Sequence, residues 1–383
     1  MRDENTQDER IEELSQKIFG KSSKDIKYLL TTGYIHQQLL DEELARTGLY
    51  QWINVFNGEV KYPREIVDYN EYDIIQVNMS AQDIPLLANI KDGLPKDSKT
   101  KLVLNNDYTS EAWGNAFPSP ETIRRETAIA DMVFGTEYYQ VSGLSEMMRR
   151  KVYVIPHPAD VKRLKSITTL PKKDIITTIW RRYDNHWYVP SLVARNHGLT
   201  TYLIGYDKNQ NPKTWLTSTL FDFVFEGTNY FDFCDQMRQS KVLYDPFTFH
   251  SYNRAIVDAA ALGVAVVGSN RTQSIMTLYP FTAVDPYDVL GARRLIEQLL
   301  TDEAFYKKVV DYALEHVEVY NHKNSMEKYL LALDESLTEK ENQEVVVKKN
   351  VVEKISGQDT LLSIAKEKNR NEKTRENERK NSI

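Results

Sequence analysis

A chain of 383 residues, 41% hydrophobic and 11% aromatic, is long enough for two domains with cores of their own, and this composition excludes wholesale disorder. A formal net charge of −6 gives no support to nucleic-acid binding driven by bulk electrostatics, although a local basic groove is compatible with it. The single cysteine, Cys234, rules out an intramolecular disulfide and a cysteine-based zinc cluster.

The opening MRDENTQDER is polar and acidic, unlike a secretory signal, so residues 1–24 are expected to form a short helix or an arm. A cytoplasmic setting is the simplest expectation. The longest nearly apolar run, Ala259 to Gly268, falls far short of the roughly 20 residues that a membrane span needs. From Asp25 the pattern alternates. Strands are predicted at 26–32, 52–56, 73–78, 101–106, 132–136 and 151–156, with helices at 80–90, 119–130 and 137–149. Ser119-Pro120-Glu121 reads as a helix start, with a serine cap, a proline in the first turn and an acid beside it.

A second series follows a break at 156–173. Its predicted strands are 174–180, 200–205, 221–227, 241–245 and 264–268, and its helices 187–197, 230–239 and 252–262. Residues 286–335 read as helices without strands, and 338–383 as a charged tail, disordered or helical. Repeated strand–helix alternation predicts an α/β protein with two doubly wound, Rossmann-like domains, 25–155 and 156–320, facing across a cleft. Residues 321–337 are expected to form a helix returning to the first domain. Ligand is expected in the cleft, outside the carboxyl ends of the strands. No Gly-x-Gly-x-x-Gly and no P-loop occurs, which lowers dehydrogenase and kinase readings, and no Asp-x-Asp triplet supports a metal-dependent transferase.

Three stretches in the second half resemble a known family. VIPHPAD (154–160) is similar to V-I-P-N-G-V-D, and TTIWRRYDNH (177–186) sits where the family has a strand ending in a Gly-Arg turn. DPFTFHSYNRAIVDAAALGVAVVGSN (245–270) is similar to P-S-x-x-E-G-F-G-x-x-x-x-E-A-x-A-x-G-x-P-V-V, with Pro246, Ala259, Ala261, Gly263, Val266 and Val267 in register. These are patterns of the GT-B glycosyltransferases, specifically the retaining type called family four. The resemblance covers about residues 150–340; the N-terminal half shares only its rhythm.

The resemblance implies transfer of a sugar from a nucleotide-sugar, a UDP-sugar by expectation, to an acceptor hydroxyl without a metal. The donor would lie on the C-terminal domain and the acceptor would approach from the N-terminal one. His250 falls on the family's first glutamate and Asp258 on its second, so a Glu-x7-Glu pair has become His-x7-Asp. Asp258 would hold the ribose, and His250 would contact the sugar or a phosphate. Departing diphosphate charge must be met by cations and a helix N-terminus. Arg181 and Arg182 can supply bidentate contacts, and the N–H groups of Tyr252, Asn253 and Arg254, with Ser251 as cap, would lie beneath the diphosphate.

His157 replaces the family's asparagine and is expected either to contact donor or to shape the interdomain turn. Gly33 follows the first strand, where a glycine admits close backbone approach to a ligand. Asp107 stands at a strand end and is expected to orient or deprotonate the acceptor, with Glu111 second. Base-reading contacts are expected from Glu226 to Asn229. In a retaining enzyme of this type the leaving phosphate can itself take the acceptor proton. The acceptor stays open among polysaccharide, protein and modified DNA base, the basic end of the tail giving DNA weak support. Two other classes compete: a GT-B-shaped protein that binds without catalysing, favoured by His250, and a periplasmic-type sugar-binding protein, disfavoured by the absence of an export signal.

Overall fold

The computed structural model describes residues 4–31, 48–66, 68–78, 84–106, 120–167, 171–179, 188–206, 219–226 and 230–342. The chain divides into two compact units, Met1–Leu333 and Asp334–Ile383. Of the second unit, the helical residues 334–342 are described. Among the described residues, no helix is long and apolar enough to cross a membrane.

Unit one is built on two six-stranded sheets. The first contains β1 (Tyr28–Thr31), β2 (Glu59–Lys61), β3 (Ile74–Asn78), β4 (Lys101–Asn106), β5 (Met132–Gly135) and β6 (Tyr153–Val154), in the order β2-β1-β3-β4-β5-β6. The second contains β7 (Lys173–Ile179), β8 (Thr200–Tyr206), β9 (Phe223–Glu226), β10 (Ser240–Asp245), β11 (Ala265–Ser269) and β12 (Ala283–Val284), in the order β12-β11-β10-β7-β8-β9. Every described pairing is parallel. All residues of β1, β5 and β11 are buried, as parallel strands covered on both faces should be. These are two Rossmann-like domains in the GT-B arrangement, as predicted.

The helices are α1 (Glu4–Phe19), α2 (Gln51–Phe56), α3 (Ile84–Gly93), α4 (Pro120–Thr127), α5 (Tyr138–Met148), α6 (Val161–Ser166), α7 (Val189–His197), α8 (Tyr230–Gln239), α9 (Arg254–Ala261), α10 (Gln273–Leu278), α11 (Val289–Thr301) and α12 (Glu303–His316), followed by 322–342. One prediction needs correction. Residues 52–56 form α2, not a strand, and the neighbouring strand is the short edge β2. Trp52, Ile53 and Phe56 are all buried at helical spacing, while an apolar run of five residues carries too little periodicity to separate the two states. Asn57, left-handed at φ 49°, ends α2. Gly58 follows, where a Cβ would come within 2.5 Å of the Tyr28 carbonyl oxygen, so only glycine lets the chain turn so close to β1.

Two features fix how the ends of unit one pack. Trp52, Phe56 and Phe134 surround the Tyr329 ring at centroid distances of 5.0, 5.1 and 5.7 Å. The N-terminal segment is a docked helix: Ile11 and Leu14 of α1 are buried, and Gln7 Nε2 donates to Glu327 Oε2 at 2.8 Å while Arg10 pairs with Glu327 at 3.2 Å.

Candidate functional site

Parallel sheets gather the carboxyl ends of their strands along one edge, and polar residues collect there in both sheets. Thr31, Asn105, Asn106 and Thr178 close or nearly close their strands and are fully buried. Asp245 ends β10, also fully buried. Several polar atoms of this region have no hydrogen-bond partner among the described residues: Thr31 Oγ1, both amide atoms of Gln76, Thr178 Oγ1, His250 Nδ1, Ser251 Oγ and Thr272 Oγ1. A buried polar atom left unpaired costs about 1–3 kcal/mol, so these atoms call for partners beyond the described residues.

The loop from β10 to α9 is the most completely defined part. Asn253 sits at the N-cap of α9 with φ 55° and ψ 89°, a left-handed conformation, and its side chain makes no cap bond. Its amide instead donates to the Asp245 carboxylate. The expected cap at Ser251 is therefore corrected: Ser251 lies two residues before the N-cap, its hydroxyl is buried without a partner, and its backbone bridges to Thr272 through Gln273 N–H to Ser251 O at 2.8 Å. Asn253 falls on the second glycine of the E-G-F-G pattern, the signal from which its backbone could have been foreseen. Substitution at Asn253 is expected to rank stability as Asn, then Gly, then Ala. Alanine loses the Asp245 bond and strains in the left-handed region, at a combined cost of about 1–2 kcal/mol. Urea midpoints check this, and alanine at or above glycine would contradict it.

Asp258 is 1% exposed. Its Oδ1 accepts from Arg254 Nε and Nη2, each at 2.9 Å, one helical turn away. Arg254 also donates from Nη1 to the Pro158 carbonyl at 2.5 Å and from Nη2 to Tyr230 Oη at 3.4 Å. Burial pushes the Asp258 carboxyl above its usual range, and the Arg254 guanidinium pulls against that. The aspartate expected at the ribose thus lies inside a buried ion pair, with Arg254 between it and the turn.

His157 is 2% exposed. Its Nδ1 accepts from Trp52 Nε1 at 3.1 Å, and its carbonyl accepts from the Tyr252 hydroxyl at 2.7 Å. The Tyr252 side chain therefore points into the crossover between the sheets, leaving only its backbone for a ligand. Together with the Arg254–Pro158 bond, this ties the VIPHPAD segment to the entrance of α9. Neither Trp52 nor Arg254 was singled out for this role by sequence reasoning, although Arg254 and Asp258 stand at a readable i,i+4 spacing.

Across the cleft, Glu137 caps α5, its buried carboxylate accepting from the N–H groups of Tyr139 and Gln140. The Tyr138 N–H donates to Gln273 Oε1 of α10 at 3.0 Å, and the Tyr139 ring lies 4.0 Å from the His250 ring, tilted by 37°. The first turn of α5 thus meets the loop before α9. Glu226 ends β9, paired with Tyr206, and only its backbone is described. Gly33, Asp107, Glu111, Arg181, Arg182 and Asn229 lie outside the described residues; β1, β4 and β7, which precede the first five in sequence, end at Thr31, Asn106 and Ile179.

Two parallel six-stranded sheets, each covered by helices and with polar residues at the carboxyl ends of its strands, are the GT-B class of fold. No family model matches the chain, and no curated protein resembles it in sequence. Solved structures do resemble it. Anabaena HepE in complex with UDP and glucose aligns over 81% of this chain and 100% of its own at TM-score 0.58 and 13% identity. A trehalose 6-phosphate synthase from Burkholderia multivorans aligns over 81% and 98% at TM-score 0.58 and 10% identity. Sucrose-phosphate synthase from Thermosynechococcus elongatus aligns over 70% and 74% at TM-score 0.53 and 17% identity.

Proposed function

We propose that this protein is a glycosyltransferase that moves a sugar from a nucleotide-sugar, a UDP-sugar first among them, to an acceptor hydroxyl. The observation that carries the reading is the set of unpaired buried polar atoms at the carboxyl ends of both sheets, densest at His250 and Ser251 where the chain enters α9. The first turn of α9 presents N–H groups that no helix can satisfy internally, a ready partner for a diphosphate. Arg181 and Arg182 balance the charge that grows on that diphosphate as the bond to the sugar breaks, in place of a metal. His250 contacts the transferred sugar and Asp258 addresses the ribose, which requires Arg254 to yield a bond. Gly33 lets the backbone close on the donor, residues from Glu226 read the base, and Asp107 orients the acceptor hydroxyl. His157 acts on the donor through the turn it fixes. Retention of configuration follows if the departing phosphate takes the acceptor proton.

Similarity in fold to HepE, which was solved with UDP and glucose, supports a nucleotide-sugar donor. The test is incubation with UDP-, GDP- and dTDP-sugars, scoring donor binding and slow hydrolysis. One donor should be consumed, and Arg182→Ala should reduce the rate by about 10²-fold or more. Failure of every donor to bind would sink the reading. Binding of a donor without turnover would favour a second, non-catalytic reading, for which the histidine at position 250 and the Arg254-locked Asp258 are the specific observations.

A further inference from the structure

We propose that Tyr138 and Tyr139 form a stacking platform for the acceptor, and that the acceptor is itself a carbohydrate; this rests on the glycosyltransferase reading. The two tyrosines are 65% and 62% exposed, among the most exposed large hydrophobic side chains of the described residues. Their backbone is nonetheless held firmly. Glu137 grips the Tyr139 N–H at 2.8 Å, and Gln273 accepts from Tyr138 across the cleft at 3.0 Å. Exposed aromatic rings on a fixed turn lose little entropy when a ligand settles on them, and tyrosine joins an apolar face to a polar hydroxyl.

Their surroundings select the ligand. The rings stand 6.0 Å apart at 81°, so they present two faces at a corner and no parallel slot of the kind that would sandwich a flat base. The Tyr139 ring abuts His250, whose Nδ1, like the adjacent Ser251 hydroxyl, is buried and has no partner among the described residues. A sugar ring offers C–H groups for an aromatic face and hydroxyls that pair with the phenol groups at the rim of the two rings. The first turn of α5 carries no cation that would select an anionic group, and the formal net charge of −6 disfavours a nucleic-acid acceptor. The platform stands on α5 of the first sheet's domain, opposite the loop assigned to the donor.

The experiment uses the full chain with maltotriose, cellotriose and chitotriose as probes, read by saturation-transfer NMR, and UDP and UDP-glucose binding measured in parallel. At least one trisaccharide should bind, with transfer strongest to one ring face. The double variant Tyr138→Ala/Tyr139→Ala should weaken it by about tenfold or more, and the double phenylalanine variant should recover most of that loss. Melting curves establish that the variants fold. The platform is wrong if no trisaccharide binds while UDP does, and the glycosyltransferase reading then survives. It is also wrong if the alanine variant binds as wild type, if UDP-glucose loses affinity as much as the trisaccharide does, or if a single-stranded oligonucleotide binds the tyrosines in preference to any sugar. Trisaccharide binding lost with the tyrosines, alongside a protein that binds no nucleotide or nucleotide-sugar, would leave the platform standing and overturn the parent reading.

Discussion

Replacing Asp258 with alanine is expected to destabilise the protein by about 3–5 kcal/mol, the usual cost of stranding one charge of a buried pair. Arg254 would keep its bonds to the Pro158 carbonyl and the Tyr230 hydroxyl, but neither neutralises a guanidinium that remains charged at any accessible pH. The pair is shielded from water, with side-chain exposures of 10% for Arg254 and 2% for Asp258, so screening by solvent offers little relief. Removing both charges, as Arg254→Met with Asp258→Leu, should destabilise much less than the single alanine change, because no isolated ion remains. Urea unfolding measures both. A single variant within about 1 kcal/mol of wild type would mean that the pair is not the clamp it is taken for here. Donor binding should weaken in both variants, since each loses the aspartate proposed to address the ribose, and more in the double variant, which also loses the tie of Arg254 to Pro158.

The second large effect is expected at Trp52. Its side chain is fully buried against Phe134 and Tyr329, and its indole N–H is the donor to His157 Nδ1. Trp52→Ala should cost about 3–5 kcal/mol through the cavity it opens. Trp52→Phe keeps part of the ring packing but removes the donor and one ring, with an expected loss of about 1–3 kcal/mol. Thermal melts followed by circular dichroism should rank wild type, phenylalanine, alanine in that order. Because His157 also holds Tyr252, the phenylalanine variant should in addition weaken UDP binding; a change in melting temperature without any change in UDP affinity would separate the crossover from the loop proposed to hold the donor.

Much of the architecture was legible because parallel α/β folding is encoded in local period. Strand β10 and helix α8 lie almost where their apolar pattern and flanks put them. The loop at 245–253 was legible for a different reason: the small residues of DAAALG and the left-handed Gly263 (φ 63°) mark a helix packed hard on a sheet, which places a loop between it and the strand ending at Asp245. Residues 52–56 are helical where a strand is expected, because short apolar runs look alike as helix and strand. Tyr138 and Tyr139 drew no attention either, since nothing within α5 says that its first turn will face His250, more than a hundred residues later in the chain.

By itself, then, the sequence determined the alternation of strands and helices, the two-domain plan and the place where His250 and Asp258 stand along the chain. Only the tertiary structure decided what surrounds them. Asp258 is closed off by Arg254, Ser251 gives way to Asn253 at the cap, and His157 is drawn into the crossover by Trp52. The physical reason is one of range: hydrophobic period and turn chemistry act over a few residues, whereas burial and the choice of partner depend on which distant segments the packed sheets bring together.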